Sequence, residues 1–333
     1  MSLYGDLKIF GIDKSLPFAK AVCSYLDQPV GKLSFKKFAD GEWWCQFDEN
    51  IRGCDIFLIA STNPPVDNWF QLWIAIDAAR RASARRVTVV MPYMGYGRQE
   101  RKDKSRVAIT ASMVLHITSG LKINRFVSMD IHKGAIQGFV QDPFDHLFGS
   151  DTLLEDIKQW LIKNDLTKEQ IVAVAPDEGA ISLVRPIAKR HGWRLAAIDK
   201  SRIGHNQVEE KKIFEIFGEK HIQDSICVVI DDIVDTAGTL CKGVKSLKKA
   251  GAKMVLGAIT HGLLSEKAVE NIHNSSLEKI WVSDTIGLKP KARQEEKIKV
   301  VSVAPIFAEA VKAIHNDQSV SMLFPEKTST ILN

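Results

Sequence analysis

The chain has 333 residues, 45% of them hydrophobic, with 45 Lys and Arg against 40 Asp and Glu. Such a length suits two domains of ordinary size, excludes wholesale disorder, and the formal charge of +5 makes no case for a nucleic-acid partner. No apolar run reaches the roughly 18–20 residues of a membrane span, and the five cysteines lack a C-x-x-C pair. The expectation is a cytoplasmic protein with no signal peptide, membrane partner, functional disulfide or zinc site.

Short β-rich runs alternate with helical patterns along the whole chain, which predicts an α/β fold with largely parallel sheets. In the first half, strands are expected at Lys8–Ile12, Lys32–Phe38, Trp43–Phe47, Asp55–Ser61, Arg86–Pro92 and Arg125–Ile131, and helices at Phe18–Leu26, Trp69–Ala82 and Thr110–Ser119. Asp40-Gly41 between two β-rich runs reads as the turn of an antiparallel hairpin added to that sheet. Residues 141–152 break both periodicities and mark a domain boundary. Beyond it, strands are expected at Ile171–Ala175, Leu195–Asp199, Lys212–Phe217, Ile226–Ile230, Met254–Thr260, Lys279–Val282 and Val300–Val303. Helices fit Thr152–Lys163, Ile181–His191, Thr239–Ala250 and Ile306–His315, and the similar rhythm of the halves suggests a duplicated fold.

Five segments at strand ends carry chemistry. After the strand ending near Pro92, residues 98–106 hold five basic side chains (Arg98, Arg101, Lys102, Lys104, Arg106) against two acids, with no apolar period. A solvated loop or a nucleic-acid patch has that composition. So has a mobile lid that neutralises a polyphosphate during transfer, and the position after a strand favours the lid. In Ser128-Met129-Asp130-Ile131-His132, Asp130 and His132 are two apart, so on a strand they project to one face, as a structural pair or as part of a divalent-ion site. Ala175-Pro176-Asp177-Glu178-Gly179-Ala180 is a strand–turn–helix sequence able to cradle a pyrophosphate with loop amides. Ile198-Asp199-Lys200-Ser201-Arg202 is a basic strand end, followed by a polar stretch to Glu210 that reads as a second mobile loop.

The most informative segment is the last. Val228-Val229-Ile230 reads as a buried strand closed by Asp231 and Asp232, and Asp235-Thr236-Ala237-Gly238-Thr239 follows before a helical pattern. Small residues let backbone N–H groups approach a bound group, and a helix N-terminus favours an anion there. Acid pair and anion loop together fit a sugar phosphate, although an acidic strand end before a Thr N-cap is also ordinary helix-start chemistry. There is no G-x-x-x-x-G-K-[ST] and no G-x-G-x-x-G after the first strand, so neither a P-loop nor a dinucleotide fingerprint is present.

The 228–239 segment resembles the phosphoribosyl-pyrophosphate (PRPP) motif shared by phosphoribosyltransferases and PRPP synthases. The 92–106 segment resembles the ATP-side loop that only the synthases carry. Together with the other segments and Ser319–Phe324, the chain is similar to ribose-phosphate diphosphokinases from Lys8 to about Phe324. The resemblance implies two stacked phosphoribosyltransferase-like domains, each a mainly parallel sheet flanked by helices: 1–148, 149–312, and a tail 313–333 packing back on the first. It implies a Mg²⁺-dependent enzyme that uses ATP and ribose 5-phosphate, a homohexamer whose ATP site is shared between subunits.

Residue by residue, Phe38, Asp40 and Glu42 of the hairpin, with Arg98, Gln99 and His132, would contact ATP. Arg101, Lys102 and Lys104 would form the catalytic lid, and Lys200 and Arg202 the opposing catalytic cations. Asp231, Asp232, Asp235, Thr236, Ala237, Gly238 and Thr239 would hold ribose 5-phosphate. Asp177, Glu178, Gly179 and Ala180 would hold the pyrophosphate, and His132, Asp177 and Asp130 the metal. Gly97, Glu100, Ala108 and Ala180 depart from the commoner family residues; an alanine at 180 is costly only if that backbone is left-handed. Arg106, Gln137, Asp145 and His146 lie in segments suited to allosteric contacts. A regulatory subunit that keeps the fold without turnover, and less readily a phosphoribosyltransferase, are the rival readings.

Overall fold

The computed structural model describes residues 4–166, 170–199, 202–203, 207–208, 212–215 and 222–323. Two units divide the chain: Met1–Phe148 with Thr285–Gly287 and Ser302–Asn333, and Gly149–Asp284 with Leu288–Val301. The first runs β1 (Leu7–Gly11), α1 (Leu16–Tyr25), β2 (Leu33–Lys37), β3 (Trp43–Phe47), β4 (Asp55–Ile59), α2 (Asp67–Arg81), β5 (Arg86–Met91), α3 (Thr110–Gly120), β6 (Arg125–Met129) and β7 (Phe144–Leu147). Its sheet is parallel throughout, in the order β1-β4-β5-β6-β7. Every residue of β4 and β5 is buried, as a central parallel strand requires. Alternation splits the core between the two faces. Phe10, Ile56, Leu58, Val89 and Met91 pack towards α2 and α3, while Ile9, Phe57, Ile59, Val90 and Val127 pack towards α1.

The hairpin differs from expectation. β2 and β3 pair antiparallel, Leu33 with Phe47 and Lys37 with Trp43, but they form a separate two-stranded sheet rather than an addition to the main one. Their alternating apolar side chains, Leu33, Phe35, Cys45 and Phe47, lie against the core, with Phe47 edge-on to Phe10 at 4.8 Å. Face packing has replaced edge pairing. Asp67 at the start of α2 anchors the hairpin, accepting from Lys37 Nζ at 3.0 Å and from Trp43 Nε1 at 3.1 Å.

The second unit runs α4 (Ser150–Lys163), β8 (Ile171–Ala175), α5 (Ile181–His191), β9 (Arg194–Asp199), the short pair β10 (Arg202–Ile203) and β11 (Gln207–Val208), β12 (Lys212–Glu215), β13 (Ile226–Val234), α6 (Gly238–Lys249), β14 (Met254–Gly262), α7 (Ala268–His273), β15 (Lys279–Ser283), α8 (Pro290–Arg293) and β16 (Ile298–Val301). The sheet order is β12-β9-β8-β13-β14-β15-β16, and β12 alone runs antiparallel. From β8 the chain steps one way to β9 and β12, and from β13 the other way to β14, β15 and β16. The switch point of this unit therefore lies between β8 and β13, where open α/β sheets bind ligands.

The last helix, α9 (Ala304–His315), packs in the first unit although the sequence division placed 304–312 in the second domain. Its stripe Phe307, Ala308, Val311 and Ile314 covers the open face of the first sheet beside α1, with Phe307 edge-on to Phe18 at 5.4 Å. Buried Arg86 binds Asp55 and donates to the Ile314 carbonyl at 2.9 Å, while His315 Nδ1 lies 2.8 Å from Asp55 Oδ2. A stripe reports that a helix face is buried, not which sheet buries it. Missed in sequence were β7, whose Asp145 and His146 hide its strand pattern, and α7 and α8, which are too short for a period. β16 ends two residues earlier than expected, because Ala304-Pro305 already opens α9. Among the described residues no helix is long and apolar enough to cross a membrane. All five cysteines are free; burial pushes the Cys23 and Cys227 thiols up to about 11.

Candidate active site

In the first unit the chemistry collects at the C-terminal ends of β5 and β6, neighbours paired at Met91 and Ser128. The turn after β5 is locked to the end of β4. Thr62 N–H donates to the Tyr93 carbonyl at 3.0 Å, and Gly95 N–H donates to Thr62 Oγ1 at 2.8 Å. Gly95 is needed there, since an added Cβ would lie 2.0 Å from the Thr62 carbonyl oxygen. One turn on, a Cβ built on Gly97 would come within 3.8 Å of His132 Cβ, so Gly97 and His132 stand side by side. Gln99 ties this stretch to α3: its Oε1 accepts from Thr110 Oγ1 at 2.6 Å and its carbonyl from Ala111 N–H at 3.3 Å. Arg101 through Arg106 are all exposed, and Arg101 Nε lies 3.6 Å from Glu100 Oε1. The cationic segment thus sits on a fixed root with its charges in solvent.

Asp130 and His132 do not share a strand face as their spacing suggested. β6 stops at Met129 and Asp130 adopts φ 37°, so the alternation ends before it. The turn is held from the neighbouring strand: Asp130 N–H donates to the Leu147 carbonyl at 2.9 Å and Ile131 N–H to His146 Nε2 at 3.0 Å. At the hairpin end, Phe38 is 43% exposed with the Lys36 ammonium 5.2 Å from its ring centre. Asp40 Oδ1 accepts from Glu42 N–H at 3.0 Å, so this carboxylate also shapes the turn.

In the second unit, loops at the ends of β9, β8 and β13 are neighbours in that order. After β8, Asp177 Oδ1 accepts from Ala180 N–H at 3.2 Å, capping the turn Glu178–Ala180 that leads into α5. Ala180 has φ −88° and ψ −10°, so alanine in place of a second glycine carries no conformational cost. Lys200 lies outside the described residues. Arg202 opens β10, and the expected mobile stretch 203–210 is described only at 203, 207 and 208.

β13 continues past the acid pair to Val234, because it keeps pairing with β14 through Ile233–His261 and Val234–Gly262. Asp231 and Asp232 therefore lie within the strand rather than at its end. Asp231 Oδ1 accepts from Asp232 N–H at 3.0 Å. Burial, then the adjacent Asp232 carboxylate, push the Asp231 carboxyl well above the usual carboxylate range, and Asp177 adds to this from the next loop. The Asp231–Asp232 pair, with Asp177 adding to its field, favours hydroxyl donors as ligands. The loop beyond holds Ala237 at φ 60°, a left-handed backbone that costs a non-glycine residue about 1–2 kcal/mol. Thr236 and Thr239 are exposed, α6 starts at Gly238, and Asp235 accepts from Ser265 Oγ. Thr62, Ser265 and Asn271 were not signalled by any local motif, as each braces a loop about 30 or more residues away.

Among the described residues no group of three His, Cys, Asp or Glu side chains forms a metal cage. The donors at the strand ends are Asp130 and His132 in the first unit and Asp177 in the second. The two carboxylates, Asp130 and Asp177, are the oxygen donors that suit Mg²⁺, which takes one or two carboxylates, waters and substrate phosphates rather than a full protein shell; the His132 imidazole offers nitrogen, a poorer match.

Fold and loops define the class: phosphoribosyltransferase-like α/β units with strand–loop–helix turns at the C-terminal ends of their parallel strands. Comparison with known proteins narrows it. Residues 7–120 match the family model described as the N-terminal domain of ribose phosphate pyrophosphokinase, and residues 185–325 match a phosphoribosyl synthetase-associated domain. The chain is 39% identical over 325 residues to a ribose-phosphate pyrophosphokinase of Thermotoga maritima, covering 97% of this chain and 100% of that protein. It is 40% identical over 318 residues to one of Campylobacter jejuni, covering 95% and 98%. The crystal structure of phosphoribosylpyrophosphate synthetase from Mycobacterium smegmatis superposes with a TM-score of 0.85 at 30% identity, over 94% of this chain and 99% of that one. The chain belongs to the ribose-phosphate pyrophosphokinase family.

Proposed function

We propose that the protein transfers the β,γ-diphosphoryl group of ATP to the 1-hydroxyl of ribose 5-phosphate, giving PRPP and AMP for nucleotide biosynthesis. The carrying observation is the C-terminal part of β13, where adjacent Asp231 and Asp232, the first of them desolvated, precede a left-handed small-residue loop and the N-terminus of α6. Carboxylates accept from ribose hydroxyls, and loop amides with the Thr236 and Thr239 hydroxyls take the 5-phosphate. The second unit thus serves the pentose and, through Asp177–Ala180, the pyrophosphate.

The first unit serves the nucleotide through Arg98, Gln99 and His132, with Phe38, Asp40 and Glu42 of a hairpin contributed between subunits of a homohexamer. Exposure of Phe38 and Trp44 on that hairpin supports the last point. Asp130 and His132 of the first unit and Asp177 of the second are the candidate ligands for Mg²⁺, which would supply neutralisation of the nucleotide's phosphate charge when bound. The attacking hydroxyl gains nucleophilicity from the acid pair that holds it, while Lys200, Arg202, Arg101, Lys102 and Lys104 stabilise charge spreading over the phosphoryl oxygens. A lid rooted at Gly95–Gln99 and free to swing beyond it excludes water and limits ATP hydrolysis. Free cysteines and no spanning helix among the described residues support a cytoplasmic setting.

The test supplies ATP, Mg²⁺ and ribose 5-phosphate and measures AMP. Ribose-dependent AMP that disappears with EDTA and returns with Mg²⁺ is expected. Ligand binding without turnover would instead identify a regulatory subunit, and base-dependent PRPP consumption a phosphoribosyltransferase.

A further inference from the structure

The 235–239 loop holds a non-glycine residue in a left-handed backbone, a conformation that persists only when its surroundings over-determine it. One segment of the same unit, 263–271, does so. Leu263 and Leu264 N–H both donate to the Val234 carbonyl, at 2.9 and 3.3 Å, and Ser265 N–H donates to the Asp235 carbonyl at 3.1 Å. Asn271 Nδ2 on α7 donates to the Thr236 carbonyl at 2.9 Å. Three successive carbonyls therefore point at this segment. In a trans peptide the N–H points opposite to its C=O, so the amides of Asp235, Thr236 and Ala237 are turned the other way.

The same segment also occupies the Asp235 carboxylate, through Ser265 Oγ. A carboxylate aimed at a doubly charged phosphate would repel it. The brace is itself stiff: Leu264 and Glu266 have φ 44° and 49°, Ala268 N–H closes back on the Ser265 carbonyl at 3.0 Å, and Cys241 Sγ of α6 donates to the Asn271 carbonyl at 3.4 Å.

We propose that Ser265 and Asn271 are positioning residues for ribose 5-phosphate, turning the amides of 235–237 towards the 5-phosphate, and that Asp235 is part of this brace rather than a phosphate ligand. The proposal rests on the pentose-binding role of this loop given above. Its test compares wild type, Ser265→Ala, Ser265→Thr, Asp235→Ala, the Ser265→Ala/Asp235→Ala double variant and Asn271→Ala. Binding of ribose 5-phosphate, both KM values, kcat and thermal stability are measured for each.

Ser265→Ala should raise KM for ribose 5-phosphate about tenfold, the loss of one hydrogen bond to a charged group, with KM for ATP within about twofold. Ser265→Thr should recover most of it, and Asn271→Ala should shift the same KM if Ser265→Ala does not fold. The double variant should be no worse than Asp235→Ala alone, because both remove the same brace. An unchanged KM for ribose 5-phosphate in both Ser265→Ala and Asn271→Ala overturns the proposal, as does multiplicative loss in the double variant. A wild type that forms no AMP from ribose 5-phosphate sinks the function itself, a separate outcome.

Discussion

Gly95→Ala tests whether the root of the cationic loop is fixed as the structure describes. The added Cβ would sit 2.0 Å from the Thr62 carbonyl oxygen and 3.2 Å from Trp69 Nε1. Ordinary separation requires a shift of more than about 1 Å, and the added Cβ, fixed rigidly to its own backbone, meets a backbone carbonyl. Moving them apart breaks the Thr62–Tyr93 and Gly95–Thr62 hydrogen bonds. Two hydrogen bonds at roughly 1 kcal/mol each plus overpacking of about 1–3 kcal/mol give a loss near 3–5 kcal/mol. For a unit of this size that lowers Tm by about 6–20 °C. A displacement of about 1 Å at the lid root should also cost on the order of 100-fold in kcat. Circular dichroism melting and initial rates with ATP varied measure both. Gly120→Ala, where an added Cβ meets nothing within 4 Å, is the control and should melt like wild type. Gly95→Ala with wild-type Tm and kcat would refute the reasoning.

Three further predictions concern the acid pair, the cationic loop and the hairpin. Asp231→Asn removes a carboxyl held above its usual range by burial and Asp232. A raised acid contributes stability that is full below the unfolded pKa of about 3.9 and is lost as pH rises through the folded value. The variant should therefore lose less stability than wild type between acid and neutral pH in denaturant titrations, while KM for ribose 5-phosphate rises roughly 10–100-fold. Equal pH profiles would show that the acid pair carries no strain. Lys102→Ala and Arg101→Ala, at exposed positions, should lower kcat by about 10²–10³-fold with Tm unchanged, and normal turnover would remove the lid from catalysis. Asp67→Ala releases Lys37 and Trp43, so KM for ATP should rise several-fold; an unaltered KM would separate hairpin anchoring from nucleotide binding.

Much of this molecule was decided locally. Buried parallel strands read as apolar runs, so β3, β8 and α5 coincide with their expected bounds and most other elements lie within two residues of theirs. The loops 92–106, 175–180 and 228–239 were legible as loops at strand ends because their small residues and charges are contiguous in sequence and break the apolar periods on either side. What depends on another part of the chain was not legible. Pairing with β14 carried β13 beyond its acid pair, the core face captured the hairpin away from the sheet edge, and the open side of the first sheet claimed α9. The braces Thr62, His146, Ser265 and Asn271 belong to the same class. Residue order states which groups a segment carries. Tertiary packing alone decides which partners satisfy them, because hydrogen bonds and buried area are made with neighbours in space.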